Sequence, residues 1–390
     1  MIPYGRHQIT EDDIQTVVDV LRSDFLTQGP VVPRFEQAVA GKVGARHGVA
    51  TNSATSALHI ACLALDLGPG DWLWTSPITF VASANCGLYC GARVDFVDID
   101  PTTYNMSPEA LAEKLAVAER EGRLPKVVVP VHFAGQSCDM AAIHALSERY
   151  GFRILEDASH AIGGHYHGEP VGCGRYSDIT VFSFHPVKII TSGEGGMAVT
   201  NEPELAEHMT RLRSHGITRN PEQMTRAPDG PWYYQQVELG FNYRMTDLQA
   251  ALGISQLARL NKFVIHRRTL AIQYDCDLAD LPVITPQQSP DGDHAWHLYV
   301  IRLDEEWSTR SRKTVFRWLR SAASGVNVHY IPVYAHEHYK KMGFVPSEFP
   351  AAQSYYKSCL SLPLYPDLKN TDQTVVVSKL RAALLESDTK

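Results

Sequence analysis

The order of apolar and polar positions divides the chain into stretches of different period. Near the start, Thr10 is placed as a helix N-cap ahead of Glu11, Asp12 and Asp13, whose charges complement the amino end of a helix dipole. Ile14, Val17, Val18 and Leu21 follow at the i, i+3, i+4, i+7 spacing of one helical face. Leu26-Thr27-Gln28-Gly29-Pro30 breaks that helix, and a second is predicted over Phe35 to Val43. From about residue 47 the period changes. Short runs rich in β-branched residues occur at Gly48–Asn52, Trp72–Ser76, Val94–Asp98, Val127–His132, Arg153–Asp157, Ile179–Phe184 and Met197–Thr200. Helical stretches such as Ser107–Glu121 and Met140–Tyr150 fall between them. The runs around Val127, Ile154 and Val181 are apolar throughout, as strands covered on both faces are. Strand alternating with helix predicts an α/β fold whose large sheet is mostly parallel.

Beyond residue 200 the chain reads as helical and then mixed. Residues 214–238 are rich in Pro, Gly, Gln and aromatic residues and predict a long loop. Phe241 to Leu260 contains a helix, and from about residue 262 a smaller α/β domain follows, with strands at His297–Leu303 and Val326–Ile331. The predicted division is an N-terminal segment (1–30), a large domain (31–260) and a small C-terminal domain (261–390).

Composition narrows the function classes. Hydrophobic residues make up 44% of the 390 positions and charged residues 20%, which excludes disorder and coiled-coil or collagen-like sequence. Lys and Arg number 36 against 43 Asp and Glu, a net charge of −7 without a basic stripe, so a nucleic-acid partner is not expected. No apolar run reaches the roughly 18 residues of a membrane span. The amino terminus lacks the basic-then-apolar layout of a secretion signal, which predicts a cytoplasmic protein. Seven cysteines without a CxxC pair suggest neither a zinc site nor a disulfide framework. His165-Tyr166-His167 and His336-Glu337-His338 read as surface or turn histidines, so no metal is expected. GxxxxGK[ST], GxGxxG and GxSxG are all absent, which removes the familiar nucleotide loops and the serine-hydrolase elbow.

Ligands of α/β sheets bind beyond the carboxyl ends of the strands, and three such ends carry chemistry. Thr51-Asn52-Ser53-Ala54-Thr55-Ser56 places small hydroxyl residues and free N–H groups at a strand-to-helix turn, which suits a phosphate and serves equally as a simple N-cap. Glu156-Asp157-Ala158-Ser159-His160 puts two carboxylates on opposite faces of one strand end. Ser183-Phe184-His185-Pro186-Val187-Lys188 sets a lone lysine just after an apolar strand, ahead of the Gly-rich Gly193-Glu194-Gly195-Gly196. Partial burial lowers a lysine's pKa and leaves a neutral amine as nucleophile. The three ends together suggest pyridoxal phosphate, which needs a lysine for its aldehyde, an acid for its ring nitrogen and a cradle for its phosphate. Phe80, in Pro77-Ile78-Thr79-Phe80, is a candidate to stack on the ring, or else a core aromatic.

These segments, with Gly240-Phe241-Asn242-Tyr243-Arg244-Met245, His329-Tyr330-Ile331-Pro332 and Leu362-Pro363-Leu364-Tyr365-Pro366, resemble the DegT/DnrJ/EryC1/StrS family, the fold-type I pyridoxal-phosphate aminotransferases of nucleotide-linked sugars. The resemblance runs from about Pro3 into the C-terminal region. It implies an aspartate-aminotransferase-like fold with a seven-stranded sheet and a smaller C-terminal α/β domain. It makes Lys188 the Schiff-base lysine and Asp157 the partner of the pyridine nitrogen. Ala54, Thr55 and Ser183 would hold the phosphate and Phe80 would cover the ring. Asn242 would reach the phosphate of a neighbouring subunit, so that a homodimer shares its sites. Many members carry Gln where this chain has His160, near the cofactor's ring hydroxyl. Gln28 would lie on the substrate side with His329 and Tyr330, the last two serving equally well as structural residues.

Within the family, Leu26-Thr27-Gln28-Gly29, Ser159-His160-Ala161 and Val328-His329-Tyr330-Ile331-Pro332 resemble the branch that serves pseudaminic acid biosynthesis. That likeness implies a UDP-linked 4-keto-6-deoxy-N-acetyl-hexose as acceptor and L-glutamate as donor. A sugar dehydratase on the same fold would carry His in place of Lys188, and a cofactor-binding regulator would need a fused effector domain. An amino-acid aminotransferase is the remaining alternative.

Overall fold

The computed structural model describes residues 1–304, 306–307 and 310–385. Its centre is one seven-stranded sheet built from β1 (His47–Thr51), β2 (Trp72–Thr75), β3 (Arg93–Phe96), β4 (Val127–Val129), β5 (Arg153–Asp157), β8 (Ile179–Ser183) and β9 (Gly196–Thr200). The strand order is β1-β9-β8-β5-β4-β2-β3. β3, β2, β4, β5 and β8 pair in parallel, whereas β9 is antiparallel to both of its neighbours, β8 and β1. β1 therefore runs the same way as β5 and β8, and all three end on one edge.

Each strand is nearly the length the apolar pattern predicts. β4 is shorter, because Pro130 has no N–H to continue a ladder. Its extension survives only as a single bridge from Val131 to Asp157. Helices α3 (Ala54–Ala64), α4 (Ala82–Tyr89), α5 (Pro108–Glu121), α6 (Met140–Tyr150) and α7 (Pro203–Arg213) supply the crossovers and cover the faces. Buried side chains from strand and helix form three clusters on the sheet, one around Leu58, Leu73 and Phe96, one around Trp74, Leu111 and Ile143, and one around Phe35, Phe182 and Met197.

Ahead of the sheet, α1 (Glu11–Leu21) and α2 (Val31–Val43) pack on α8 (Asp247–Ala258). Asp13 in α1 is buried and accepts from Ser255, Gln256 and Arg259, which anchors the first helix to the eighth. Asp247 accepts the N–H groups of Gly29 (2.7 Å) and Val32 (2.9 Å) and so holds the turn between α1 and α2.

The C-terminal part has a three-stranded sheet of β12 (Val283–Ile284), β14 (Tyr299–Leu303) and β15 (Cys359–Leu362). It is covered by α9 (Leu260–Asp277), α10 (Arg312–Ser321) and α13 (Asn370–Leu385) around Tyr274, Tyr299 and Leu380. The short α11 (Glu337–Lys340) and α12 (Pro350–Ser358) lie between α10 and β15. The first residues of the chain dock here: Gly325 N–H donates to Ile2 O (2.6 Å) and Leu364 N–H to Tyr4 O (3.1 Å).

Two predicted elements differ. Residues 214–238 are a hairpin at their base, β10 (Ile217–Thr218) pairing antiparallel with β11 (Gln235–Gln236). Val326–Ile331 is not a strand. Apart from one bridge between Asn327 and Ser361 it is irregular, because five residues in succession from Asn327 face one cavity, which the alternation of a strand forbids. The remaining small sheet joins β6 (His165–Tyr166), β7 (Glu169–Pro170) and β13 (Gly292–Asp293). Among the described residues, no helix is long and apolar enough to cross a membrane.

Candidate active site

The shared edge of β1, β5 and β8 opens into a cavity of about 1150 Å³. Each strand end contributes one part of it. At β1, Ser53 is the N-cap of α3 and accepts from Ser56 N–H (3.2 Å), while Ser56 Oγ–H donates to Asn52 Oδ1 (2.7 Å). Those contacts use up Ser53 and Ser56. The first N–H groups of the helix, at Ala54 and Thr55, stand at its positive end, and both residues line the cavity. Gly196 of β9 makes this turn possible: a Cβ there would stand 2.5 Å from Ala54 N. Ser183, at the end of β8, lines the same wall.

At β5, the two carboxylates separate as alternation predicts. Asp157 lines the cavity. Its Oδ2 accepts from Ser83 Oγ–H (2.6 Å) and its Oδ1 from Ser159 N–H (3.1 Å). Ser83 is itself 2.7 Å from Thr79 Oγ1. Glu156 lies on the other face, buried and 2.5 Å from His132 Nε2. Cys138 N–H is 3.1 Å from His132 Nδ1, and against the opposing effect of burial the contacts with Cys138 and Glu156 push the His132 pKa up to about 10, so Nε2 carries a proton toward Glu156. Ser177 and Thr180 also donate to Glu156, and these donors hold its carboxyl below the usual range against the opposing effect of burial.

Lys188 follows β8 in the loop that reverses into β9. It is half-buried at the cavity wall, and burial pushes its pKa down to about 8, opposed by the Asp157 carboxylate. At that value a substantial neutral fraction exists near neutrality, as a nucleophile or a base requires.

The opposite wall comes from the C-terminal part and from the first residues of the chain. Tyr4, His297, Asn327, His329 and Tyr330 line it, beside His160. His329 Nδ1 is 2.7 Å from Ser361 Oγ, and Tyr330 Oη is 3.1 Å from His160 Nε2. His160 and His297 are buried with ring centroids 4.4 Å apart. Burial and the nearby Lys188 charge hold His160 well below the ordinary histidine value and bring His329 down to about 3, so both are neutral at pH 7. Buried Arg267 donates to the carbonyls of Trp296, His297 and Leu364 and fixes the backbone behind His297. Phe80 is 59% exposed at the cavity wall, a position for covering a ligand and not a core one.

Of the residues singled out in the sequence, Lys188, Asp157, His160, Ser183, Ala54, Thr55, Phe80, His329 and Tyr330 line one cavity. Gln28 and Asn242 do not; both are exposed on their own chain. Ser83, Tyr4, His297 and Asn327 escaped the sequence reading. Ser83 alone left a signal, lying one helical turn after Thr79 in the segment that carries Phe80. Among the described residues, no group of three or more His, Cys, Asp or Glu is arranged to hold a metal.

The donor set fits pyridoxal phosphate: helix N–H groups and a hydroxyl for a phosphate, a low-pKa amine for an aldehyde, and an acid opposite for a ring nitrogen. Comparison with known proteins agrees. Residues 7–381 match the DegT/DnrJ/EryC1/StrS aminotransferase family. The spore coat polysaccharide biosynthesis protein SpsC of Bacillus subtilis is 41% identical over 390 residues, 99% of this chain and 98% of that protein. Helicobacter pylori PseC, an aminotransferase involved in pseudaminic acid biosynthesis, superimposes with a TM-score of 0.89 at 30% identity, over 98% of this chain and 99% of that one. Spr1654 from Streptococcus pneumoniae in its PMP form gives a TM-score of 0.89 at 29% identity, with the same coverage. Fold, cavity and sequence thus converge: the chain belongs to the DegT/DnrJ/EryC1/StrS family and is a pyridoxal-phosphate-dependent sugar aminotransferase.

Proposed function

We propose that the protein transfers an amino group from L-glutamate to C4 of a nucleotide-linked 4-keto-6-deoxy sugar. The acceptor favoured by its short motifs and by its likeness to PseC is UDP-2-acetamido-2,6-dideoxy-β-L-arabino-hex-4-ulose. The likeness to SpsC supports a product destined for a surface polysaccharide. One observation carries the reading: a lysine amine lowered to about 8 shares a cavity with a carboxylate and a hydroxyl-lined helix start.

Bound pyridoxal phosphate supplies an electron-accepting ring that stabilises a carbanion at the carbon losing its proton. The chain's own residues do the rest. Lys188 in its neutral form takes the proton from the donor's Cα and returns it on the other side of the transfer. Asp157, held by Ser83 and the Ser159 N–H, would face the ring nitrogen. Ala54 and Thr55 N–H groups and the Ser183 hydroxyl would hold the phosphate, Phe80 would cover the ring, and His160 would stand near the ring hydroxyl. His329 and Tyr330 stand on the sugar side. Asn242, exposed on its own chain, reaches the phosphate in a second copy, so the working unit is a homodimer.

Incubating the purified protein with glutamate and each of three acceptors tests this. The expected result is 2-oxoglutarate and a 4-amino sugar with the UDP-linked keto-sugar, less product with a dTDP-linked one, and none with small keto-acids. Turnover confined to keto-acids would overturn it.

A further inference from the structure

His160 and Tyr330 come from distant parts of the chain and meet at the cavity wall. Ala134 N–H donates to His160 Nδ1 (3.3 Å), so the proton of the neutral ring belongs to Nε2. Nε2 is 3.1 Å from Tyr330 Oη, and the two rings lie within 22° of parallel. His160 is therefore the donor in this contact and Tyr330 the acceptor. The Tyr330 O–H must then point elsewhere, and it has no protein acceptor among the described residues. Both side chains line the cavity beside Lys188 and Asp157.

The arrangement is stiff. Ala134 O accepts from His297 N–H (2.9 Å), which fixes the turn behind His160. Phe80 and Phe133 flank Tyr330 with ring centroids at 6.4 and 6.3 Å, so the hydroxyl faces a partly apolar space where one donor counts for more than in water. Burial and the Asp157 charge raise the Tyr330 pKa well above its ordinary value, and the group stays protonated.

We propose that His160 and Tyr330 work as one unit, in which His160 aims the Tyr330 hydroxyl as a single fixed donor at an oxygen anion of the bound ligand. The proposal rests on the pyridoxal-phosphate reading of this cavity. Two oxygens share that chemistry, the phenolic oxygen of the cofactor ring and the C4 oxygen of the keto-sugar as its bond polarises. A donor placed where negative charge develops stabilises it without reorganisation.

A double-mutant cycle with two readouts tests the unit. Tyr330→Phe, His160→Phe, His160→Gln and the double variant Tyr330→Phe with His160→Phe are compared. The first readout is the affinity of the cofactor-free protein for pyridoxal phosphate, with the pH midpoint of the bound cofactor's visible absorbance. The second is the single-turnover rate of keto-sugar consumption by protein loaded with pyridoxamine phosphate. We expect Tyr330→Phe and His160→Phe each to lower one readout by roughly 10-fold or more, with the double variant no worse than either. His160→Gln, whose amide still donates to Tyr330, should recover most of the loss. A change in the first readout assigns the hydroxyl to the phenolic oxygen, and a change confined to the second assigns it to the sugar.

Losses that multiply in the double variant, or a Tyr330→Phe protein within twofold of the unaltered one in both readouts, would overturn the proposal. Failure of the unaltered protein to bind pyridoxal phosphate at Lys188 would instead overturn the reading of the cavity. That outcome is separately visible in the first readout.

Discussion

Glu156 and Asp157 are neighbours on β5, and the two faces of that strand treat them differently. On one face, Glu156 is closed off: His132, Ser177 and Thr180 all donate to it, and neither oxygen opens on a cavity. On the other, Asp157 receives one hydroxyl and one N–H from the protein and keeps the remainder of its accepting capacity toward Lys188 and the cavity. Burial is the same, 5% exposure for each, so it does not separate them. A carboxylate whose partners are all protein stabilises the fold, and one left partly unpartnered beside a low-pKa amine is available to a ligand.

Substitutions sharpen this contrast, and the largest effect belongs to the amine. Lys188→Ala or Lys188→Arg should reduce turnover below detection without lowering the melting temperature of the cofactor-free protein. Measured 2-oxoglutarate release checks this. Asp157→Asn should lower kcat by roughly 100-fold or more, because one charge is lost from the reacting centre. Glu156→Gln should do the reverse. Its amide N–H₂ opposes the hydroxyls of Ser177 and Thr180, so stability falls by about 1–3 kcal/mol in denaturant titration while kcat stays within a few-fold. A Glu156→Gln protein of normal stability and poor activity would dissolve the distinction between the two faces.

Smaller effects test the supports and the charges. Ser83→Ala removes one donor from Asp157 and should lower kcat/KM by about 10-fold. The folded pKa of Lys188, about 8, lies below its unfolded value, so the unfolded chain holds more protons between them. The cofactor-free protein should therefore gain stability as pH rises from about 8 toward the ordinary lysine value of roughly 10.4, and Lys188→Met should remove that slope. Glu156 has the opposite sign, since its folded pKa is lowered. Its contribution should be complete above its unfolded pKa of roughly 4.3 and be lost as pH falls through the folded value. Glu156→Gln should flatten that acid limb.

The parts of the site that were legible in the sequence are those in which the chemistry is local. Lys188 stands a few residues past an apolar strand, Asp157 ends another, and the hydroxyl-rich turn from Thr51 sits between strand and helix. Each is a strand end, and strand ends of a parallel sheet converge by topology alone. The wall opposite was not legible, because its residues are assembled by tertiary folding. Tyr4 reaches the cavity from the first residues of the chain, and Asn327 from a segment whose apolar run mimics a strand. His297 was placed in a predicted strand, yet β14 begins only at Tyr299, after the backbone that Arg267 fixes. The hairpin of β10 and β11 escaped notice because its two-residue strands are separated by sixteen residues without alternation.

The central claim is that Lys188 is the residue that meets the coenzyme. Reduction of the purified, cofactor-loaded protein with borohydride, followed by digestion and mass spectrometry of the peptides, tests it most directly. The expected result is a single phosphopyridoxyl mass on the peptide that contains Lys188, absent from Lys188→Ala. The same mass on another lysine, or on none, would contradict the account.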